Sequence, residues 1–212
     1  MHLATAIPKS EDQDWSLNDR IRREGTRNLI EAAANNGVKH YIQQSITLLY
    51  GNKGHATVDE SAPLQPAAVT QSAADMEEIV RGSALAWCIL RGGLFYGAGT
   101  GREDGWRQAA RQGRLALPGD GSDWVSLVHV VDMARAVVAA TENAPSNSVY
   151  NIVDDEPVSY ERLFTHIAAQ LGAAAPPAGG PKLLPSLGCS NARVKQELAW
   201  QPAYPSYRSG LA

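Results

Sequence analysis

The sequence predicts a Rossmann-like doubly wound parallel α/β sheet carrying a small C-terminal cap, and two observations predict it. Strand-like and helix-like segments alternate with short loops between them. The run Ala84–Leu90 is continuously apolar, as a strand covered by helices on both faces must be.

The elements follow in order. His2-Leu3-Ala4-Thr5-Ala6 is a short apolar run stopped by Pro8 and reads as a buried strand. Leu17, Ile21, Gly25, Leu29 and Ala33 recur every four residues and predict a helix with that column as its apolar face, capped by Ser16 and ended by Gly37. Val38 to Ser45 reads as a strand closed by the Tyr50-Gly51-Asn52 turn, and a polar loop runs to about Pro66. A second helix carries Ala73, Met76, Ile79 and Val80 before Gly82 and leads into Ala84–Leu90. After Gly97 a Gly-rich loop, a short helix near Trp106 to Gln112 and the turn Leu117-Pro118-Gly119-Asp120-Gly121 form an excursion from the sheet. Val125 to Val128 resumes strand character. A helix with Val130, Met133, Val137 and Val138 on one face then leads to the strand Val149 to Val153. Ser159 caps a helix through Phe164, Ile167 and Leu171, which Gly172 ends, and Ala173 to Pro181 reads as a linker. The expected division is a sheet domain of residues 1–96 and 123–153 and a substrate-side cap of residues 97–122 and 154–212.

Composition narrows the class. The 212 residues are 44% apolar and 19% charged, with a net charge of -3, which excludes a disordered chain. Cys88 and Cys189 are too few for a disulfide scaffold, and Cys88 sits in mid-strand as an inert core thiol. No basic run offers a surface for nucleic acid, and no apolar run reaches the roughly 20 residues that span a bilayer. Met1 to Ile7 lacks the basic flank of a signal peptide, so a cytoplasmic protein handling a small molecule is expected, with neither nucleic acid nor membrane as partner. The five histidines are scattered and neither cysteine has a near partner, so no metal site is expected. Gly97-Ala98-Gly99-Thr100-Gly101 has no following Lys-Ser/Thr and reads as a flexible substrate-side loop, not a phosphate loop. Arg20, Arg22, Arg23 and Arg27 share a helix with Asp19 and Glu24 and read as a solvated face.

Several separate segments carry a family likeness in one consistent order. They are His2-Leu3-Ala4 at a strand end, Glu24-Gly25-Thr26-Arg27-Asn28-Leu29, Gln44-Ser45 through Tyr50-Gly51, Leu90-Arg91-Gly92-Gly93-Leu94-Phe95-Tyr96-Gly97 and Val128-His129-Val130-Val131-Asp132-Met133-Ala134. Tyr150-Asn151-Ile152, Leu198-Ala199-Trp200-Gln201-Pro202 and Ser209-Gly210-Leu211 add to them. The chain resembles the extended short-chain dehydrogenase/reductases, the NAD-dependent epimerase/dehydratase family.

The resemblance implies an NAD- or NADP-dependent oxidoreductase or epimerase acting on a small molecule. It places His2, Ala4 and Thr5 beside the adenosine and ribose, Ser45 and Tyr50 on the nicotinamide side, and Gly92, Gly93 and Leu94 in approach from the next strand. Substrate contacts would come from Phe95, Tyr96 and His129, and the catalytic candidates are Ser45, Tyr50, Tyr96 and His129. Plainer roles stand beside these: a packed aromatic for Tyr96, a hydrogen-bonded helix-start residue for His129, and a macrodipole partner for Asp132. Arg91 can hold a phosphate or carboxylate, or pair with a local acid.

Two departures from the family pattern bear on function. No glycine-rich turn follows the first strand, and two strand-helix units, about 60 residues at roughly 30 per unit, would be expected before His2. Either the sequence is the tail of a longer gene product or the protein lacks its phosphate cradle; weak dinucleotide binding, or none, is expected of this chain alone, as is an exposed edge along Leu3 to Ala6 through which it forms a homo-oligomer or aggregates. The family's proton-transferring Tyr and Lys fall on Val69 and Ala73, which carry no proton. Its Ser/Thr position falls on Ile46, with Ser45 one place earlier and expected on the opposite face of the strand. A non-catalytic dinucleotide sensor or binding module is the alternative.

Overall fold

A computed structural model describes residues 1–7, 14–182 and 184–211, so Pro8 lies outside the described residues. The elements that place the site are α1 (Ser16–Arg20), α2 (Thr26–Asn35), β1 (His40–Ile46), α3 (Gln71–Arg81), β2 (Ala86–Gly92), β3 (Leu94–Tyr96), α4 (Arg102–Arg111), β4 (Leu127–His129), α5 (Val130–Asn143), β5 (Ser148–Ile152), α6 (Tyr160–Gln170), α7 (Ala192–Leu198) and α8 (Tyr207–Gly210).

The central sheet is parallel, in the order β1-β2-β5, with Ser45 opposite Arg91 and Arg91 opposite Asn151. Side chains alternate across it, so each strand feeds two cores. Ile42, Cys88, Leu90, Tyr150 and Ile152 pack against Met133, Ala136, Val137 and Ala140 of α5 and against Val194 and Leu198 of α7. Tyr41, Trp87, Ile89 and Val149 pack on the other face against Val80, Ile30 and Ala33. Covering both faces is what makes these strands uniformly apolar.

The first segment is much less strand-like than its apolar run suggests. It meets β1 at one parallel bridge, His2 to Gln43, through His2 N–H to the Ile42 carbonyl (2.8 Å) and Gln44 N–H to the His2 carbonyl (3.1 Å). Beyond His2 the chain leaves the sheet: Leu3, Ala4 and Thr5 are exposed, and the Ala6 N–H turns to the Asn18 side chain.

Between α1 and α2 lies one turn of π-helix, Ile21–Gly25. In an unbroken α-helix, positions eight apart differ by about 80° around the axis. The widened turn takes up that drift and puts Asn18, Arg22 and Thr26, all buried, in one inward column. The apolar column read from the sequence is the wrong one: Leu17 is 53% and Leu29 43% exposed. Ser16 is not the cap either. It is the first residue of α1, and the Asp14 carboxylate accepts from its N–H (2.8 Å) and hydroxyl (2.6 Å). Gly37 at φ 67° does end the helix, with Val38 N–H returning to the Ala33 carbonyl. Ser159 caps α6, accepting from Arg162 N–H.

A third core joins Tyr96, Ala110, Leu127, Leu163, Phe164, Ile167, Tyr207 and Leu211, drawing on α4, α6 and α8. The stretch read as a linker contributes a strand to this half, because Ala178–Gly180 pairs in parallel with Leu117–Pro118. The C-terminal segment also reaches back to α5. Trp200 Nε1 donates to the Asp132 carbonyl, and the Asp132 carboxylate accepts from Ala203 N–H (2.7 Å) and Tyr204 N–H (2.9 Å). Asp132 therefore holds the C-terminal segment in place, a task beyond balancing the α5 dipole.

Candidate functional site

At the C-terminal end of β1 a partly open cavity of about 300 Å³ lies between the first segment, α3 and the start of α4. In open parallel sheets this is the end where ligands sit. Ala4 and Thr5 border it where the first segment leaves β1, and Ile46, Met76 and Phe95 make an apolar wall. The polar lining is Gln44, Ser45, Thr100, Arg22 and Arg102, with no carboxylate among the described residues that line it.

Ser45 is 2% exposed and its Oγ has no hydrogen-bond partner among the described residues. A buried hydroxyl costs stability unless something receives or donates a proton to it, so an orphan on a cavity wall marks a place where a ligand can complete the bond. Ser45 and Ile46 both reach the cavity because it lies where β1 ends and the backbone turns into the short helix Thr47–Tyr50. Strict strand alternation had put them on opposite faces.

Arg22 is the residue the sequence reading missed. It was expected on a solvated helix face, yet it is 4% exposed, borders the cavity, and donates from Nη1 to Ser72 Oγ at 3.3 Å. Its neighbours on the helix behave as expected: Arg20 pairs with Glu24, and Arg23 with Asp19 and Asp75. No carboxylate among the described residues lies within 4 Å of Arg22, and burial lowers its pKa while Asp19 acts weakly in the other direction. The signal that could have found it is the polar column Asn18, Arg22, Thr26, one place along from the apolar one. Ala73, on which the sequence reading expects the family's Lys to fall, lies fully buried on the same cavity wall, and Val69 is 57% exposed on the turn before α3.

The remaining expected site residues sit elsewhere. His2 is buried, with Nδ1 3.2 Å from Gln43 Oε1 and 3.3 Å from Thr26 Oγ1, and it ties the first segment to β1 and α2. Burial lowers its pKa. Tyr50 is fully buried and does not line the cavity: its hydroxyl accepts from Arg91 Nη1 (2.8 Å) and donates to Asn151 Oδ1 (2.8 Å), and burial pushes it up to about 12. Arg91 resolves to the local-acid option, chelating the carboxylate of Glu77.

Tyr96 is likewise fully buried, its hydroxyl directed at the Ser206 carbonyl and its pKa raised first by burial and then by nearby carboxylates such as Asp154. His129 takes the helix-start role. Its Nδ1 accepts from Val131 N–H, its ring lies 3.8 Å from that of Tyr204, and burial lowers its pKa. Gly92, Gly93 and Leu94 are not on the cavity lining. A Cβ on Gly93 would lie 2.6 Å from the Ser126 carbonyl, and one on Gly92 would meet the Phe95 ring, so close packing requires glycine at both.

The fold and the retained motifs define a class, and the chain belongs to it: residues 1–153 match the NAD dependent epimerase/dehydratase family. The family is NAD(P)-dependent. Over its full length the chain is 34% identical to the 3-diazoavenalumate denitrifying reductase of a Streptomyces species, of which it covers 77%. It is 26% identical to the dTDP-glucose 4,6-dehydratase of Streptomyces griseus, over 76% of this chain and 52% of the dehydratase. Among solved structures, the dTDP-glucose 4,6-dehydratase DesIV of Streptomyces venezuelae, crystallised with NAD, superposes with a TM-score of 0.87 at 21% identity, covering all of this chain and 70% of that one. WbmG of Bordetella bronchiseptica, in complex with NAD, gives 0.83 at 20% identity, over 99% of this chain and 68% of that one. The chain therefore spans about three quarters of the reductase and about half of the dehydratase relative. Among the described residues no helix is long and apolar enough to cross a membrane.

Proposed function

We propose that this protein is a cytoplasmic NAD(P)-dependent reductase that moves hydride to a small molecule without a Tyr–Lys proton relay. The observation that carries the reading is the orphan Ser45 hydroxyl on a cavity whose wall has Ala73 in place of a lysine. The residues present fit the cofactor: the exposed Ala4 and Thr5, expected on the adenosine and ribose side, lead into the cavity, and the Ser45 Oγ, expected on the nicotinamide side, is free to bond there. When bound, the cofactor supplies the hydride.

Losing the relay restricts which acceptors suit the site. Reducing a ketone leaves an alkoxide that must be protonated, and neither Val69 nor Ala73 can do so. An acceptor that expels a neutral leaving group needs no such proton. With a diazonium carbon, hydride forms the new C–H bond while the C–N bond breaks and its electron pair leaves with N2. The similarity to a denitrifying reductase favours this type of reaction. Apolar Ile46, Met76 and Phe95 suit a flat substrate body, and residues 97–122 with 154–212 act as the substrate-side cap.

The test is to incubate the protein and millimolar deuterated NADH or NADPH with a panel of aryl diazonium and aryl ketone probes, reading products by mass spectrometry. Deuterium on the carbon that lost nitrogen, with Ser45→Ala slowing the reaction by about 10-fold to 100-fold, is expected. Transfer to ketones alone, or no transfer to any probe, overturns the reading.

A further inference from the structure

We infer that Arg22 is an anion receptor for the substrate, and that the ligand this cavity takes is a small carboxylate with a flat apolar body. The inference rests on the cavity being the substrate site and names the substrate class that the site selects. Burying a guanidinium is destabilising unless a counter-charge meets it. The chain supplies that counter-charge for its other deeply buried arginine, Arg91, through both oxygens of Glu77. For Arg22 it supplies the neutral Ser72 hydroxyl, and the side chain borders open space.

Two further observations point the same way. The π turn at Ile21–Gly25, an irregularity of a kind that recurs at functional sites, carries Arg22. The cavity's other charged lining residue is Arg102, exposed at the start of α4, so the whole polar lining is cationic or neutral. A guanidinium presents a planar fork that matches a carboxylate. With the anion held by Arg22 and the Ser45 hydroxyl bonding to the same ligand, the apolar body lies along Met76 and Phe95.

Binding of cinnamate and of its neutral isostere cinnamamide is measured by titration calorimetry on the full chain, with no cofactor present. Cinnamate is expected to bind at least about tenfold more tightly than the amide, and Arg22→Gln to abolish that preference while Arg22→Lys retains part of it. Arg102→Gln, at an exposed position, is expected to weaken cinnamate by a smaller factor of about three. Equal affinity for acid and amide, no binding of either, or an unchanged preference in folded Arg22→Gln overturns the proposal. If Arg22→Gln fails to fold, an unchanged affinity in Arg102→Gln overturns it. These results are independent of hydride transfer: a carboxylate preference without deuterium transfer leaves the receptor standing and removes the reductase.

Discussion

Glu77 and Arg91 meet in a two-pronged ion pair with both side chains 2% exposed: Nε reaches Oε1 at 2.9 Å and Nη2 reaches Oε2 at 2.6 Å. The third arm of the guanidinium goes to Tyr50, which passes the chain of bonds to Asn151, so α3, β2, the turn after β1 and β5 are fastened at one point. The geometry satisfies every strong polar group in the cluster, the condition under which a buried pair tolerates its desolvation.

Breaking that pair from one side is expected to be severe. Glu77→Gln leaves a buried cation without its counter-charge, at a cost of roughly 3–5 kcal/mol in urea unfolding. Replacing both residues, as Glu77→Met with Arg91→Met, removes the unpaired charge and is expected to recover most of the loss. A double variant no more stable than the single one would refute this account.

Ser45→Ala is expected to separate stability from function. The wild-type Oγ makes no hydrogen bond, so its removal costs nothing in bonds and relieves a buried polar group. Thermal unfolding should show an unchanged or slightly higher midpoint alongside slower hydride transfer. A loss of more than about 1 kcal/mol would mean that Ser45 has a structural partner.

Asp154 makes stability fall with rising pH. It is 2% exposed, and burial pushes its carboxyl up to about 8, with Asp155, Glu156 and Asp132 adding to the effect. The folded state therefore holds a proton that the unfolded chain releases near its ordinary value of 3.8. The stabilisation is complete below about pH 4, declines by at most about 1.4 kcal/mol per unit, and is gone above about pH 8. Melting curves of Asp154→Asn across that range should be flatter than wild type, with the variant the more stable of the two at pH 9.

Ala73→Lys tests the cost of a lysine at the position where the sequence reading expects the family's own. Ala73 is fully buried on the wall that Arg22 already charges, so the new ammonium would face a like charge in a desolvated setting. We expect a lower melting temperature and a lysine pKa depressed well below 10, readable by NMR. Arg22→Gln in the same chain should restore much of the stability, and failure to do so would place Arg22 away from position 73.

The doubly covered sheet was legible because its strands are apolar on both faces and its helices end on Gly37, Gly82 and Gly172. The bridge at His2 was legible only as an apolar run, which does not reveal that the segment leaves the sheet after one residue. Tyr50 and Tyr96 sit near strand ends, as cavity residues would, and sequence carries no mark of whether a phenol faces a ligand or a neighbouring carbonyl. Ser45 was found through its place in a motif. Arg22 was not, because its neighbours Arg20, Arg23 and Glu24 do form the surface charge pattern that the sequence suggests, and that pattern masks the polar column it belongs to.

The π turn also amounts to a matter of chain length. At more than four residues per turn it stores about one residue beyond what a regular helix of the same rise would hold. Deleting Glu24 would let the ladder close regularly, and counting back from Thr26 would then bring Ile21 and Leu17 alongside Arg22 and Asn18 on the inner side. Leu17 is thus held at the surface by a single surplus residue several positions away. The register of this inner column is encoded as an increment of length, which the loss of one codon would shift without altering any residue that lines the pocket.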